Sequence, residues 1–251
     1  MEFATAAELH KAYKAATIST EIHPDDTMYR IGPNHYGHVG ESAINVILSA
    51  LTLSWRNKVL RVLDLACGYG RVGRHLRAAF PEAELHFCDL EAPAADFCAK
   101  TFNGHAIHSV PDLTKVALPT DLDVIWIGSL FTHVDRERTE AWLAYLVQHL
   151  RTSGIIVATF HGHFSANVTD FGNRVDMAKL RRDFDETGYA FHSYVGWDNY
   201  GVSLSKPSTI LDMADAIPGT KVISYSERGW ANNHDVLCLA RDDRLKPWGA
   251  A

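Results

Sequence analysis

Short apolar runs alternate with stretches of helical spacing through the middle of the chain. KVLRVLDLA (58–66) is an apolar run of strand length, and RVGRHLRAAF (71–80) follows with apolar positions three and four apart. ELHFCDL (84–90) and APAADFCAKTF (92–102) repeat the pair, HAIHSV (105–110) is a weaker strand, and DLDVIWIGSL (121–130) a strong one. The clearest helix is RERTEAWLAYLVQHLR (136–151), in which Trp142, Leu143, Leu146 and Leu150 form one apolar stripe. The Thr152-Ser153-Gly154 turn then introduces a fifth strand, GIIVATFH (154–161). Strands and helices alternating at this spacing predict parallel crossovers, with helices on both faces of one sheet.

Ahead of this core, MEFATAAELHKAYKAATIST (1–20) has helical spacing, with Phe3, Ala6, Ala7 and Tyr13 mostly on one side. It lacks the uninterrupted apolar stretch of a signal peptide. A Pro/Gly/His-rich loop follows from His23 to Gly40, then a helix from about Glu41 to Trp55. Behind the core, a helix over about 174–187 precedes an aromatic, turn-rich segment, AFHSYVGWDNYGVSLSKPS (190–208). TKVISYSERGW (220–230) and HDVLCLAR (234–241) read as an antiparallel pair closing the sheet. No Ser/Gly linker divides the chain. One decorated α/β domain is expected, with 1–57 a helical or lid segment packed on 58–251.

Composition narrows the classes of function. Of 251 residues, 47% are hydrophobic and 22% charged, which excludes a long disordered chain. A formal net charge of −6 argues against nucleic acid as the main ligand. No apolar stretch approaches the roughly 18 residues of a membrane span. Cys67, Cys88, Cys98 and Cys238 contain no CxxC pair, so disulfides are not expected and a reducing cytoplasm is the expected setting.

The sharpest motif is VLDLACGYGRVG (62–73). Gly68, Gly70 and Gly73 satisfy GxGxxG between a strand and a helix, and Asp89 ends the next strand. Those are the requirements of a dinucleotide site, so a nicotinamide cofactor has to be weighed. Asp64, four residues before the first glycine, argues against it. A carboxylate there would repel a pyrophosphate but suits a ligand that carries positive charge and no phosphate.

The run Asp64-Leu65-Ala66-Cys67-Gly68-Tyr69-Gly70 closely resembles the first motif of class I S-adenosylmethionine-dependent methyltransferases, (D/E)xxxGxG. The resemblance implies a Rossmann-like methyltransferase fold: a mostly parallel seven-stranded sheet with helices on both faces and an antiparallel C-terminal strand pair. It also implies S-adenosyl-L-methionine as cofactor. The implied donor contacts are Asp64, Ala66, Cys67, Gly68, Gly70 and Arg71 in the loop, Asp89 and Leu90 after the second strand, Ser129 and Leu130 after the fourth, and Tyr36. The glycines would let the backbone approach the ligand, Asp89 would accept from the ribose hydroxyls, and Tyr36 and Arg71 would lie near the donor's carboxylate. DVIWIGSLFTH (123–133) and LRTSGIIVATFHGH (150–163) resemble the family's fourth and fifth strands. From about 27 to 241 the chain resembles a bacterial branch found beside polysaccharide and glycosyltransferase genes. That likeness rests on Met28-Tyr29 with Tyr36 and Gly40, the run from Gly128 to His133, Tyr200-Gly201-Val202-Ser203, and His234-Asp235-Val236.

Methyl transfer is an in-line displacement at carbon, so alignment of acceptor, methyl and sulfonium is the main task. An oxygen acceptor also needs a group to take its proton, commonly a histidine. Ligands of an open parallel sheet lie beyond the carboxyl ends of its strands. That selects His133 after the fourth strand, and His161 and His163 after the fifth, from fourteen histidines. His133 is the first candidate for general base or acceptor positioning, against a role in capping the next helix; His161 is the second. His161-Gly162-His163 lacks a third ligand of clear spacing, so no metal is expected. Tyr29, Arg30, His35, Tyr36 and His38 read as a lid over the cofactor or as a surface loop. Trp197, Asp198, Asn199 and Tyr200 read as a ring-stacking surface or as core. Arg71, Arg74 and Arg77 read as a solvated helix face, with Arg71 a possible exception.

Together these features predict a methyltransferase acting on a small-molecule acceptor, a hydroxyl of a sugar or glycoconjugate precursor, with neither nucleic acid nor membrane as partner. The alternatives are a natural-product O- or N-methyltransferase, an NAD(P)-dependent oxidoreductase, and a catalytically silent S-adenosylmethionine-binding partner protein. The sequence does not encode a readable oligomeric state.

Overall fold

The computed structural model of the chain describes residues 6–54, 58–168, 170–171 and 174–242. Phe3 and Trp55 lie outside the described residues. The five core runs become neighbouring parallel strands: β1 (Arg61–Leu65), β2 (Glu84–Asp89), β3 (His105–His108), β4 (Leu122–Ile127) and β5 (Leu150–Phe160). β6 (Tyr189–Ser193) and β7 (Gly201–Ser205) form a separate hairpin. β8 (Thr220–Trp230) and β9 (His234–Arg241) extend the sheet antiparallel beyond β5, giving the order β3-β2-β1-β4-β5-β9-β8. The fold is therefore the expected Rossmann-like α/β arrangement with its antiparallel C-terminal pair. No described helix is long and apolar enough to cross a membrane.

Strand alternation divides the core between two faces. Val62, Val124 and Val157 pack with Ile44, Ile47 and Leu51 of α2 (Pro33–Leu53) and Leu76 of α3 (Gly73–Ala79). α1 (Ala6–Ala15) adds Tyr13 to that face, and α4 (Ala92–Thr101) adds Ala95 and Cys98. Leu63, Ile125 and Ile156 point the other way, onto Trp142, Leu143 and Leu146 of α5 (Arg136–His149). Behind α5 come α6 (His163–Val168) and α7 (Met177–Thr187), which pack on the β6–β7 hairpin, and α8 (Pro207–Asp215), which adds Ile210 and Met213 to the second face. The order reverses at β1, with β2 on one side and β4 on the other. A crevice opens beyond the carboxyl ends of β1 and β4 for that reason.

Three boundaries differ from the sequence reading. The loop predicted from His23 to Gly40 is helical over much of its length: α2 starts at Pro33, after a 3-10 turn at Thr27–Ile31 capped by Asp26. Proline is pre-organised at a first helical position, and Gly37 and Gly40 weaken a buried 21-residue helix without ending it. The Thr152-Ser153-Gly154 turn lies inside β5 as an irregularity, with Ser153 at φ +66°. In the C-terminal third, the aromatic segment is a hairpin followed by a helix that Pro207 opens.

One hydrogen bond fastens α2 to the sheet. Trp230 is 3% exposed, stands edge-on to Trp126 at 5.2 Å, and donates Nε1–H to Val39 O at 2.9 Å. Val39 O keeps its helical partner in Trp230→Phe, so the loss is that of one hydrogen bond, about 0.5–1.5 kcal/mol. Urea unfolding should show the midpoint falling with an unchanged slope. An unaltered midpoint would mean that the bond does not hold α2.

Candidate functional site

The glycine loop begins where β1 runs out of partners. Ala66, Gly68 and Gly70 have φ of +58°, +50° and +80°, so three alternate residues are left-handed. Backbone bonds pin this path: Cys67 N–H donates to Cys88 O, and Gly68 N–H to Asp89 Oδ2 at 2.8 Å. Asp89 Oδ1 accepts from Glu91 N at 3.0 Å, and Cys98 Sγ donates to Gly68 O. The two glycines differ in what they leave room for. A Cβ on Gly68 would meet nothing within 4 Å, whereas one on Gly70 would lie 2.2 Å from the Phe102 ring. Gly70 therefore permits packing against the protein's own core, and the open side of the loop is at Gly68. At Gly70 the positive φ and the Phe102 ring each demand glycine.

Ser129 mirrors Ala66 at the end of β4, with φ +63°. A strained backbone of this kind persists only when its surroundings fix it. Here Ser129 N–H donates to Thr159 Oγ1 at 2.8 Å, and Thr132 Oγ1 donates to Ser129 O at 2.8 Å. The two left-handed turns thus face the same crevice from neighbouring strands. Leu130 is half-buried and Leu90 is 60% exposed at its edge.

Asp64 is 2% exposed, and its Oδ2 is buried without a hydrogen-bond partner. Burial raises its carboxyl well above the usual range, and the neighbouring Asp89 adds to the shift. Cys67 is likewise buried, its thiol raised first by the hydrogen bond to Cys98.

The arginines overturn the reading of a solvated stripe. Arg74 is 3% exposed and donates to Gly70 O, Ser19 O and Glu21 O, while its Nη2 reaches the Tyr36 hydroxyl at 3.2 Å. Arg77 donates to the carbonyls of Phe102, Pro81, Ala83 and Asn103. Arg71 lies 5.5 Å over the Trp230 ring, and burial lowers its pKa. The N-terminal strap between α1 and α2 packs over this helix face, which the spacing of α3 alone does not reveal. Tyr36 is 2% exposed and donates to Asp26 Oδ2 at 2.6 Å, so it braces the strap from inside α2. Asp26, 5% exposed, escaped the sequence reading because a lone acid in a loop carries no pattern. His23 of the strap stacks on Tyr69 of the glycine loop at 4.4 Å.

Histidines gather on the far wall. His133 accepts no cap role for α5, whose first turn is capped by Asp135. Instead its Nδ1 lies 2.7 Å from Gly201 O, and its ring stacks on Tyr200 at 4.9 Å. Burial lowers its pKa; the bond to Gly201 opposes that shift, and Arg174 adds to it. His161, 7% exposed, lies with Nδ1 3.2 Å from Ser203 O and edge-on to His234 at 4.8 Å. Burial keeps His161 well below the usual imidazole range and lowers His234 to about 3, so both rings are neutral. His163 points away and pairs with Glu227 at 2.8 Å. Among the described residues no three His, Cys, Asp or Glu side chains are grouped to hold a metal ion. Beside His133, Arg174, Tyr194, Val195, Trp197 and Tyr200 line a cavity of about 410 Å³. Trp197 is 61% exposed, so the alternative that this aromatic cluster belongs to the core is excluded for Trp197.

Residues 63–156 match the family described as a methyltransferase domain. A malonyl-[acyl-carrier protein] O-methyltransferase of Acetivibrio thermocellus is 22% identical over 156 residues, which is 59% of this chain and 52% of that protein. The match therefore spans about half the length of that relative. CalS10 of Micromonospora echinaspora, an amino pentose methyltransferase of calicheamicin biosynthesis solved with S-adenosylmethionine bound, superposes with TM-score 0.61 at 16% identity. It covers 88% of this chain and 99% of its own. DesVI of Streptomyces venezuelae gives TM-score 0.61 at 15% identity, with the same two coverages of 88% and 99%. The chain thus has the Rossmann-like fold of S-adenosylmethionine-dependent methyltransferases, with a methyltransferase domain across residues 63–156.

Proposed function

We propose that the protein is an enzyme that transfers the methyl group of S-adenosylmethionine to a hydroxyl of a small acceptor, a sugar or glycoconjugate precursor. His133 serves as general base. The observation that carries the acceptor side is the tautomer of His133. Gly201 O can only accept, so Nδ1 at 2.7 Å bears the proton and Nε2 keeps its lone pair. Burial holds that ring neutral, ready to take a proton from an acceptor hydroxyl. His161 is oriented in the same sense by Ser203 O and supports the wall behind it.

The residues fit the donor on two observations: the open space beside Gly68 and the unpartnered carboxyl of Asp64. Bound S-adenosylmethionine supplies an electrophilic methyl on a sulfonium and brings positive charge without phosphate. Asp64 offers that charge a carboxylate already stripped of water. Asp89 has lone pairs left beyond its bonds to Gly68 and Glu91, enough to accept from a ribose diol. Arg71 lies over the Trp230 ring, has no carboxylate partner among the described residues, and would pair with the donor's carboxylate. Ala66, Cys67 and Gly70 shape the turn, Leu90, Ser129 and Leu130 line the crevice, and Tyr36 steadies the strap between α1 and α2 through Asp26 and Arg74. A pyrophosphate ligand would meet Asp64 and Asp89 together, which disfavours a nicotinamide dinucleotide. The O-methyltransferase and amino pentose methyltransferase among the relatives support oxygen and sugar as the acceptor chemistry.

Two experiments test this reading. Gly68→Ala should fold, at a cost of about 1–2 kcal/mol for its left-handed backbone, yet lose donor affinity in calorimetry. Gly70→Ala should lower the melting temperature further, through its clash with Phe102. Normal donor binding by Gly68→Ala would remove the loop from the site. His133→Ala should lose on the order of 10²–10⁴ in kcat/KM with donor affinity unchanged. In the wild type, kcat/KM should fall with decreasing pH, through a limb below the ordinary imidazole value of about 6.5. Full turnover by folded His133→Ala would exclude it as the base.

A further inference from the structure

We propose that the cavity beside His133 is a subsite for an anionic ring: a hydroxylated ring bearing a phosphate or carboxylate, held between aromatic faces and Arg174. This rests on the methyl-transfer reading for calling the ring an acceptor, while binding of the ring can be measured by itself.

The walls of the cavity are built rather than accidental. Tyr194 N–H donates to Tyr200 O, Trp197 N–H to Tyr194 O, and Gly201 N–H to His133 O, all at 3.0–3.1 Å, so the hairpin tip has a fixed shape. Tyr200 stands 5.6 Å from Tyr194 and 5.7 Å from Trp197, its ring inclined to both by more than 50°. Three rings set at angles around a cavity of about 410 Å³ leave faces to be covered, and a room of that size takes one substituted ring. Val195 at 90% and Trp197 at 61% exposure lie at its mouth. Apolar area held so far out of the core is covered when a ring stacks on it.

The charges set the polarity of the occupant. Arg174 lies 5.5 Å over the Tyr194 ring, and among the described residues no carboxylate stands at ion-pair distance from it. Other arginines of the fold are engaged: Arg138 with Asp135, Arg151 with Asp123, and Arg74 with three carbonyls. An anion therefore belongs at Arg174, where a guanidinium can grip two oxygens at once. The ring then lies on Tyr200 and Trp197. A neutral ring would leave the guanidinium without a counter-charge.

Tryptophan fluorescence reads this site, because Trp197 lines it. The full chain is titrated with glucose 1-phosphate, with 4-hydroxybenzoate and with uncharged methyl glucoside. Trp197→Phe separates its signal from the other five of the six tryptophans. At least one anion should quench saturably, the quench should vanish in Trp197→Phe, and Arg174→Gln should weaken binding by about tenfold or more. Saturation by glucose 1-phosphate makes the ring a sugar; saturation by 4-hydroxybenzoate makes it a phenol. Methyl glucoside binding as tightly as the anions, Arg174→Gln binding them unchanged, or no quenching by either anion in the millimolar range would overturn the subsite. Donor affinity, measured by calorimetry on the same proteins, should be the same in all three. A wild type that binds the anion but not S-adenosylmethionine would leave the subsite standing and remove the methyl-transfer reading.

Discussion

A carboxyl group held out of water, with a second carboxylate nearby, is the constraint around which the carboxyl edge of this sheet is arranged. Asp64, one residue before the end of β1, lies on the face shared with Val62, so the strand itself drives the side chain beneath α3. No donor meets its Oδ2, and an unpartnered buried acceptor costs about 1–3 kcal/mol. The left-handed turns at Ala66 and Ser129 add backbone strain a few residues away. Unfavourable features concentrated at a topological switch point, in a fold otherwise well packed, are what a ligand cradle looks like before its ligand arrives.

The rest of the domain holds that cradle still. Arg74 ties the N-terminal strap to Gly70 O and to Tyr36, and Trp230, from the edge strand β8, fastens α2 on the face they share. At the histidine wall, β7 reaches across to His133 and His161 by accepting from their Nδ1 atoms at Gly201 O and Ser203 O. The β6–β7 hairpin, which stands apart from the main sheet, is thus the element that sets histidine orientation. The glycine-loop wall and the histidine wall come from different parts of the chain, the first following β1 and the second following β4 and β5.

Much of this was legible from sequence because central parallel strands are buried on both faces and read as unbroken apolar runs. The loop after β1 was legible because glycine, strand and helix signals coincide there. What stayed hidden depends on tertiary neighbours. Gly68 and Gly70 look alike in sequence, and only Phe102 distinguishes them. Arg74 and Arg77 follow a surface-like spacing, and only the overlying strap and the carbonyls near Phe102 show that they are engaged. The start of α2 was masked by glycines and histidines that a buried helix tolerates, and Arg174 was read as the first residue of a helix that begins only at Met177.

The account turns on Asp64 being set for a cation, and proton linkage tests that directly. Its raised pKa means the folded, ligand-free protein holds a proton there more tightly than the unfolded chain does. Its contribution to stability is therefore full at low pH and is lost as pH rises through the raised value. A bound cation favours the ionised form, so donor binding should expel that proton. Calorimetry of S-adenosylmethionine binding across the acidic-to-neutral range, in buffers of different ionisation enthalpy, should show affinity rising with pH and proton release on binding. Asp64→Asn should abolish both trends and weaken binding. Affinity that is independent of pH, with no proton released and no loss in Asp64→Asn, would contradict the account.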